Sequence, residues 1–292
     1  MKIKLNLWTK IIAFGVVISI VACGEDPTPE PIVEMQTEED TTIDYDDDDS
    51  YNFIMPSPLQ IAAIFKRAGL TYTNETTSPV ENVSNYTDRV SKALNFGVYA
   101  ADLSYCVLNK QPQDAVKYMK TIKTLSDDLG MSDMFGTSNI FTSFESNIDN
   151  DDSLIYILAT IQENLDEHLE DNEEQYMSVI FFAGGWTEGM HIGVQIATKD
   201  NPSITSRLIE QMVILENVIE ALKQYPNESE FLKEITAGLE DIDNTYRDFE
   251  ALRGMDIDDV SFADIKISDE ELGMIIEKVE ALRSKITGVE LQ

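Results

Sequence analysis

The chain has 292 residues and carries 54 acidic against 21 basic side chains, a formal net charge of -33. A charge of that sign repels polyanions, and phosphate contacts need a basic face, so nucleic acid is excluded as an expected partner. With two cysteines, Cys23 and Cys106, a disulfide framework is excluded as well.

The first 55 residues differ from the rest. Lys2, Lys4 and Lys10 precede or open an apolar run, Ile11 to Ala22, that is shorter than the ~20 residues a spanning helix needs. Val21-Ala22-Cys23-Gly24 then places small residues and a thiol where a signal peptidase would cut. The pattern resembles a bacterial lipoprotein signal. That resemblance implies that residues 1–22 are removed, that Cys23 is lipidated, and that the partner of this end is the outer membrane. More than one acyl chain is what stable attachment requires. Cys106 is then left without a partner and is expected to pack as a small hydrophobe. Residues 23–55 read as a disordered tether. From Glu25 to Asp49 there are twelve acids and no base, with Pro27, Pro29 and Pro31 near the start, and one-sided charge opposes collapse. Gly24-Glu25-Asp26 is similar to the acidic signal that sends Bacteroidetes lipoproteins to the cell surface, which implies surface display.

From residue 56 to 292 the chain punctuates itself as one all-helical domain. Ser57, Pro58 and Gln60 supply an N-cap, a first-turn proline and a capping-box partner. Residues 70–84 read as a loop, and a long helix is predicted from Tyr86 to Leu108. The next runs from Pro112 to Leu129, with Gly130 at its end. Residues 131–150 show no clear period, with a short helix expected over Ile140 to Ser146. Leu154, Leu158, Ile161, Leu165 and Leu169 mark a helix stripe. A strongly apolar helix follows from Gln175 to Thr198. Asn201 with Pro202 opens another. Asn227 with Glu230 reads as the box that starts the next, which Gly254 ends. Ser268 with Glu271 opens the last, carried by Leu272, Ile275, Val279, Leu282 and Ile286. No segment alternates strictly. The fold expected is all-α, a single bundle of about eight helices.

Two of these helices are apolar nearly all round, the mark of a central position. Ala93, Gly97 and Ala101 recur on the first, and Gly185, Gly189 and Gly193 on the second. Glycine inside a helix costs about 0.8–1 kcal/mol relative to alanine, so a packing reason is needed. The spacing predicts that the two stripes form a close seam, whereas Gly238 reads as an exposed helix glycine. Asp102 flanks the first stripe. Glu188, His191 and Gln195 share a face of the second at i, i+3 and i+7. A pocket between the helices, lined by Asp102, Glu188, His191 and Gln195, is therefore the candidate ligand site. A di-iron bundle needs two Glu-x-x-His pairs, and Leu165 stands three residues before His168, so that arithmetic fails. His168 lies among acids and reads as solvated. No catalytic motif, metalloprotease histidine pair or cofactor fingerprint is present, and a mononuclear metal site from Asp102, Glu188 and His191 stays open.

The stretches Phe96-Gly97-Val98-Tyr99-Ala100-Ala101-Asp102-Leu103-Ser104-Tyr105 and Ala183-Gly184-Gly185-Trp186-Thr187-Glu188-Gly189 resemble those of uncharacterised helical lipoproteins of Bacteroidetes. The resemblance implies an envelope location and lends no catalytic residue. The function expected is a non-enzymatic envelope lipoprotein that binds a protein or glycan partner. The alternative is a small-ligand or metal-binding lipoprotein using the pocket between the central helices.

Overall fold

The computed structural model describes residues 55–73, 75–135, 140–195, 197, 201–224, 229–253, 262 and 265–289. The signal-like segment, Cys23, the acidic tether, Asn227 and Gly254 lie outside them. Among the described residues every regular element is helical, as the absence of period-two patterning predicts. Nine α-helices follow in chain order: α1 (Pro58–Arg67), α2 (Arg89–Leu108), α3 (Pro112–Leu129), α4 (Ile140–Ser146), α5 (Asp151–Asp171), α6 (Tyr176–Val194), α7 (Pro202–Lys223), α8 (Glu230–Asp248) and α9 (Asp269–Thr287). The short α4 brings the number above eight.

Side-chain caps set most of the boundaries. Ser57 and Gln60 form the capping box of α1, and Ser268 and Glu271 that of α9. Gly130 and Gly288 close α3 and α9 at φ 85° and 69°, a left-handed conformation that glycine adopts without Cβ strain. Two starts differ from the sequence reading. α2 begins at Arg89 because Asp88 accepts the Ser91 N–H at 2.9 Å. Tyr86 precedes that cap, and its hydroxyl donates to the Thr287 carbonyl at 3.2 Å. α8 is capped by Ser229, whose Oγ accepts from the Leu232 N–H, rather than by Asn227.

α2 and α6 form the centre, as their all-round apolarity predicts. α6 is buried without interruption from Ile180 to Val194. α1 lies against both, α3 packs on α2, α7 and α9 pack on α6, and α8 joins α7 to α9. α5 rests on α2 with α4 beside it. Apolar burial at about 25 cal/mol per Å² is the main stabilising term for such a bundle.

The seam exists but is shorter than expected and centred elsewhere. A Cβ on Gly97 would lie 1.8 Å from the Phe181 carbonyl oxygen and 2.7 Å from the Gly185 nitrogen. A Cβ on Gly184 would lie 1.9 Å from the Leu94 carbonyl oxygen. Backbone touches backbone at these two glycines, which only residues without a Cβ allow. Gly189 and Gly193 do not belong to this contact. They face α1, where their Cβ atoms would meet Ile61 at 2.9 Å and Phe65 at 2.8 Å. The 3.6-residue turn explains the change: a four-residue stripe drifts around the helix and soon leaves the facing neighbour. Gly238 is not an open position either, since Leu282 stands 2.7 Å from where its Cβ would be.

Candidate functional site

The central helices and α9 each deliver ionisable groups to one point in the core. Asp102 comes from α2, Glu188 and His191 from α6, and Glu280 and Arg283 from α9, the last two on one face at i, i+3. Asp102 and Glu188 have no exposed surface, and Arg283 is 7% exposed. The Arg283 guanidinium grips Glu188 with two bonds. Nε donates to Oε2 at 2.7 Å and Nη2 to Oε1 at 2.9 Å. Nη2 also donates to the Ser78 hydroxyl at 2.9 Å and lies 3.4 Å from the Thr76 carbonyl oxygen.

A non-helical strap, residues 75–79, closes the cluster. The Ser78 N–H donates to Asp102 Oδ2 at 3.0 Å. Tyr118 donates to the Ser78 carbonyl at 3.0 Å and Tyr99 to the Pro79 carbonyl at 2.9 Å. Thr76 and Ser78 are buried on the inner side, while Glu75 and Pro79 are exposed on the outer. One layer of backbone thus separates the ionic cluster from water.

Burial and the Glu188 charge push the Asp102 carboxyl well above the usual carboxylate range, against the opposing pull of Arg283. For Glu188, burial also disfavours the charge, but Arg283 and then His191 outweigh it and hold the group below its ordinary value. The two acids are therefore driven apart although they sit side by side.

Of the four candidate residues, Asp102 and Glu188 meet directly in this cluster. His191 stands at its edge, with Nδ1 2.7 Å from Glu280 Oε1 and Nε2 2.9 Å from the Thr76 carbonyl oxygen. Gln195 is exposed and touches the edge of the group, its Nε2 donating to Glu280 Oε1 at 2.9 Å and lying 3.4 Å from His191 Nδ1. The arrangement is a sealed network and not an open pocket. Among the described residues, cavities lie elsewhere: against α3 and α5 at Val107 and Leu154, in the α4–α5 groove, and between α1, α2, α3 and α5. Among the described residues no group of three or more His, Cys, Asp or Glu side chains is placed to hold a metal ion. Beside the two acids stands a guanidinium.

Ser78, Thr76, Glu280 and Arg283 escaped the sequence reading. Arg283 had a signal: it lies on the apolar stripe of α9, next to Leu282 and four residues after Val279. Two acids on apolar helices call for a buried cation, and an arginine on a buried face is the natural candidate. Ser78 lies in a polar loop and carried no such mark. Two lesser readings also change or stand. His168 is paired with Asp133 at 2.8 Å, its side chain 9% exposed, rather than solvated. Cys106 is fully buried, as expected, and burial pushes its thiol up.

Comparison with known proteins adds no relative: no family model, no curated protein and no solved structure matches this chain.

Proposed function

We propose that this chain is a lipid-anchored envelope lipoprotein whose helical domain binds a protein or glycan partner and is not an enzyme. The anchor rests on Val21-Ala22-Cys23-Gly24 and the acidic tether behind it. Among the described residues no helix is long and apolar enough to cross a membrane, so attachment through Cys23 would come from lipid.

The observation that supports the binding-module reading is the inward direction of the polar chemistry. Asp102 and Glu188 are fully covered, and Arg283 turns its donors to Glu188, Ser78 and Thr76. Among the described residues, the two acids and the guanidinium of this cluster are closed to a substrate. What faces solvent instead is Tyr156, 74% exposed, beside the α4–α5 groove of about 490 Å³ lined by Ile140, Ile157 and Thr160. An exposed tyrosine next to apolar surface suits a protein or sugar contact, because the ring offers area and the hydroxyl a hydrogen bond. The alternative, a ligand or metal between the central helices, meets the Arg283 guanidinium at that position.

The test is Cys23→Ala with cell fractionation, combined with photocrosslinking from position 156 in the native lipoprotein. The alanine variant should leave the membrane fraction, and position 156 should give a discrete adduct that the exposed position 273 does not. Normal membrane attachment of Cys23→Ala would overturn the anchor. Equal labelling from both positions would overturn the contact face.

A further inference from the structure

Two acids share one guanidinium in the core, and the guanidinium is committed to one of them. Arg283 directs Nε and Nη2 to Glu188, while Asp102 receives only the Ser78 N–H, on Oδ2. Oδ1 of Asp102 is buried and faces no donor. The Glu188 carboxylate is the side chain within hydrogen-bonding reach of the Asp102 carboxyl, and it can only accept when ionised. Two ionised carboxylates cannot bond to each other, but an acid and a carboxylate can. Placing one proton on Oδ1 therefore satisfies the orphaned oxygen and balances the charge, since one carboxylate then faces one guanidinium.

We propose that Asp102 and Glu188 share a single proton carried on Asp102, and that this proton latches the strap 75–79, which opens when rising pH removes it. The strap is where the strain of a second charge would be relieved. It has no helical ladder of its own, its inner face binds Asp102 and Arg283 through Ser78, and its outer face is already wet. Swinging it out admits water to Asp102 without unpacking α2 from α6.

The titratable and charged groups around Asp102 come from every neighbouring element; Glu188 favours retention of the proton, while Arg283 and the Ser78 N–H oppose it. On α2 these are Tyr99, Tyr105 and Cys106; on α3, Tyr118; before α2, Tyr86; on α6, Glu188 and His191; on α9, Glu280 and Arg283. The acidic and phenolic members gain nothing from a second anion. Because the closed-state pKa of Asp102 is raised, its contribution to closure is complete below the pKa of an exposed aspartate. It is lost progressively as pH rises to the buried value. Strap opening should grow by up to about tenfold per pH unit across that window and then level off. Glu188 behaves oppositely, and its contribution is lost only in acid.

The test compares the full chain with Asp102→Asn, in which Oδ1 can accept the Ser78 N–H and Nδ2 can donate to Glu188, fixing the protonated hydrogen-bond pattern. Amide exchange over 75–79 is measured for both proteins from mildly acidic to alkaline buffer, and the ratio of the two rates removes the intrinsic pH dependence of exchange. The ratio of wild type to variant should climb with pH. In parallel, the infrared carbonyl band of a protonated carboxylic acid should be present in the wild type at neutral pH and missing from Asp102→Asn. A ratio that stays flat overturns the latch, and absence of the band from wild type overturns the shared proton. An Asp102→Asn protein that does not fold also overturns it, because the amide reproduces the neutral state.

Discussion

Replacing Gly97 by alanine is the sharpest probe of how this bundle is held together. The added methyl would sit 1.8 Å from the Phe181 carbonyl oxygen and 2.8 Å from its carbon, where real Cβ contacts essentially never fall below 3.0 Å. The obstacle is backbone, so no rotamer change relieves it, and α2 must back away from α6 by more than an ångström. Overpacking of a core costs about 1–3 kcal/mol and sometimes more. Contact with a rigid carbonyl places Gly97→Ala at the upper end. Alanine returns about 1 kcal/mol through helix propensity, leaving a net loss of about 2 kcal/mol or more. For a domain of this size each kcal/mol moves the Tm by about 2–4 °C, so the midpoint should fall by about 4–8 °C. Gly184→Ala, facing the Leu94 carbonyl oxygen at 1.9 Å, should behave alike. The control is Gly273→Ala on α9, which meets nothing within 4 Å and should raise the Tm by up to about 4 °C. Gly189→Ala should fall between, since the Ile61 side chain in its way can move. Thermal unfolding by circular dichroism reads all four. If Gly97→Ala were as stable as wild type while Gly273→Ala gained, the backbone contact would not exist.

Arg283→Leu should cost about 3–5 kcal/mol in urea unfolding, because it leaves Glu188 charged and unpaired in the core. The loss should shrink in acid as Glu188 takes up a proton, and an equal loss at every pH would refute the ion-pair account. Cys106 should ignore an aromatic disulfide reagent in the native protein and react fully in denaturant, since it is buried and its thiol is pushed up. Stoichiometric labelling of the native protein would show that α2 is not where the packing puts it.

Much of the fold was legible because helices announce their own ends. Ser57, Gly130 and the Ser268–Glu271 pair are local devices, and local devices can be read from a few adjacent residues. The centre was legible for a related reason: only a helix surrounded by others tolerates apolar residues on every side, as α2 and α6 do. The seam was half legible. Spacing identified glycines that needed a packing reason, yet Gly97 and Gly184 touch α2 and α6 together while Gly189 serves Ile61 of α1. Which neighbour a helix face meets is decided by rotation and crossing, and no four-residue period encodes that. The site shows the same limit. Asp102 and Glu188 stood out as charges in apolar surroundings. Ser78 did not, because one serine in a polar loop looks like any other, and its backbone N–H and hydroxyl gain their role only from the helices that fold against them. Arg283 looked like one more polar residue on an amphipathic helix.

The guanidinium that completes the cluster lies 205 positions along the chain from the serine it binds. Contacts so distant form late, since the loop between them must be ordered before they can close. A chain that has assembled α1 to α8 therefore holds a half-built centre, with an acid on α6 that has no opposite charge and a strap held from α2, α3 and α6 alone. Arrival of α9 supplies the missing charge, the anchor for Ser78, and carbonyls at Ile286 and Thr287 for Asn95 and Tyr86 in one step. The domain should thus pass from loose to locked at a single late event, and the order of synthesis becomes the order of consolidation.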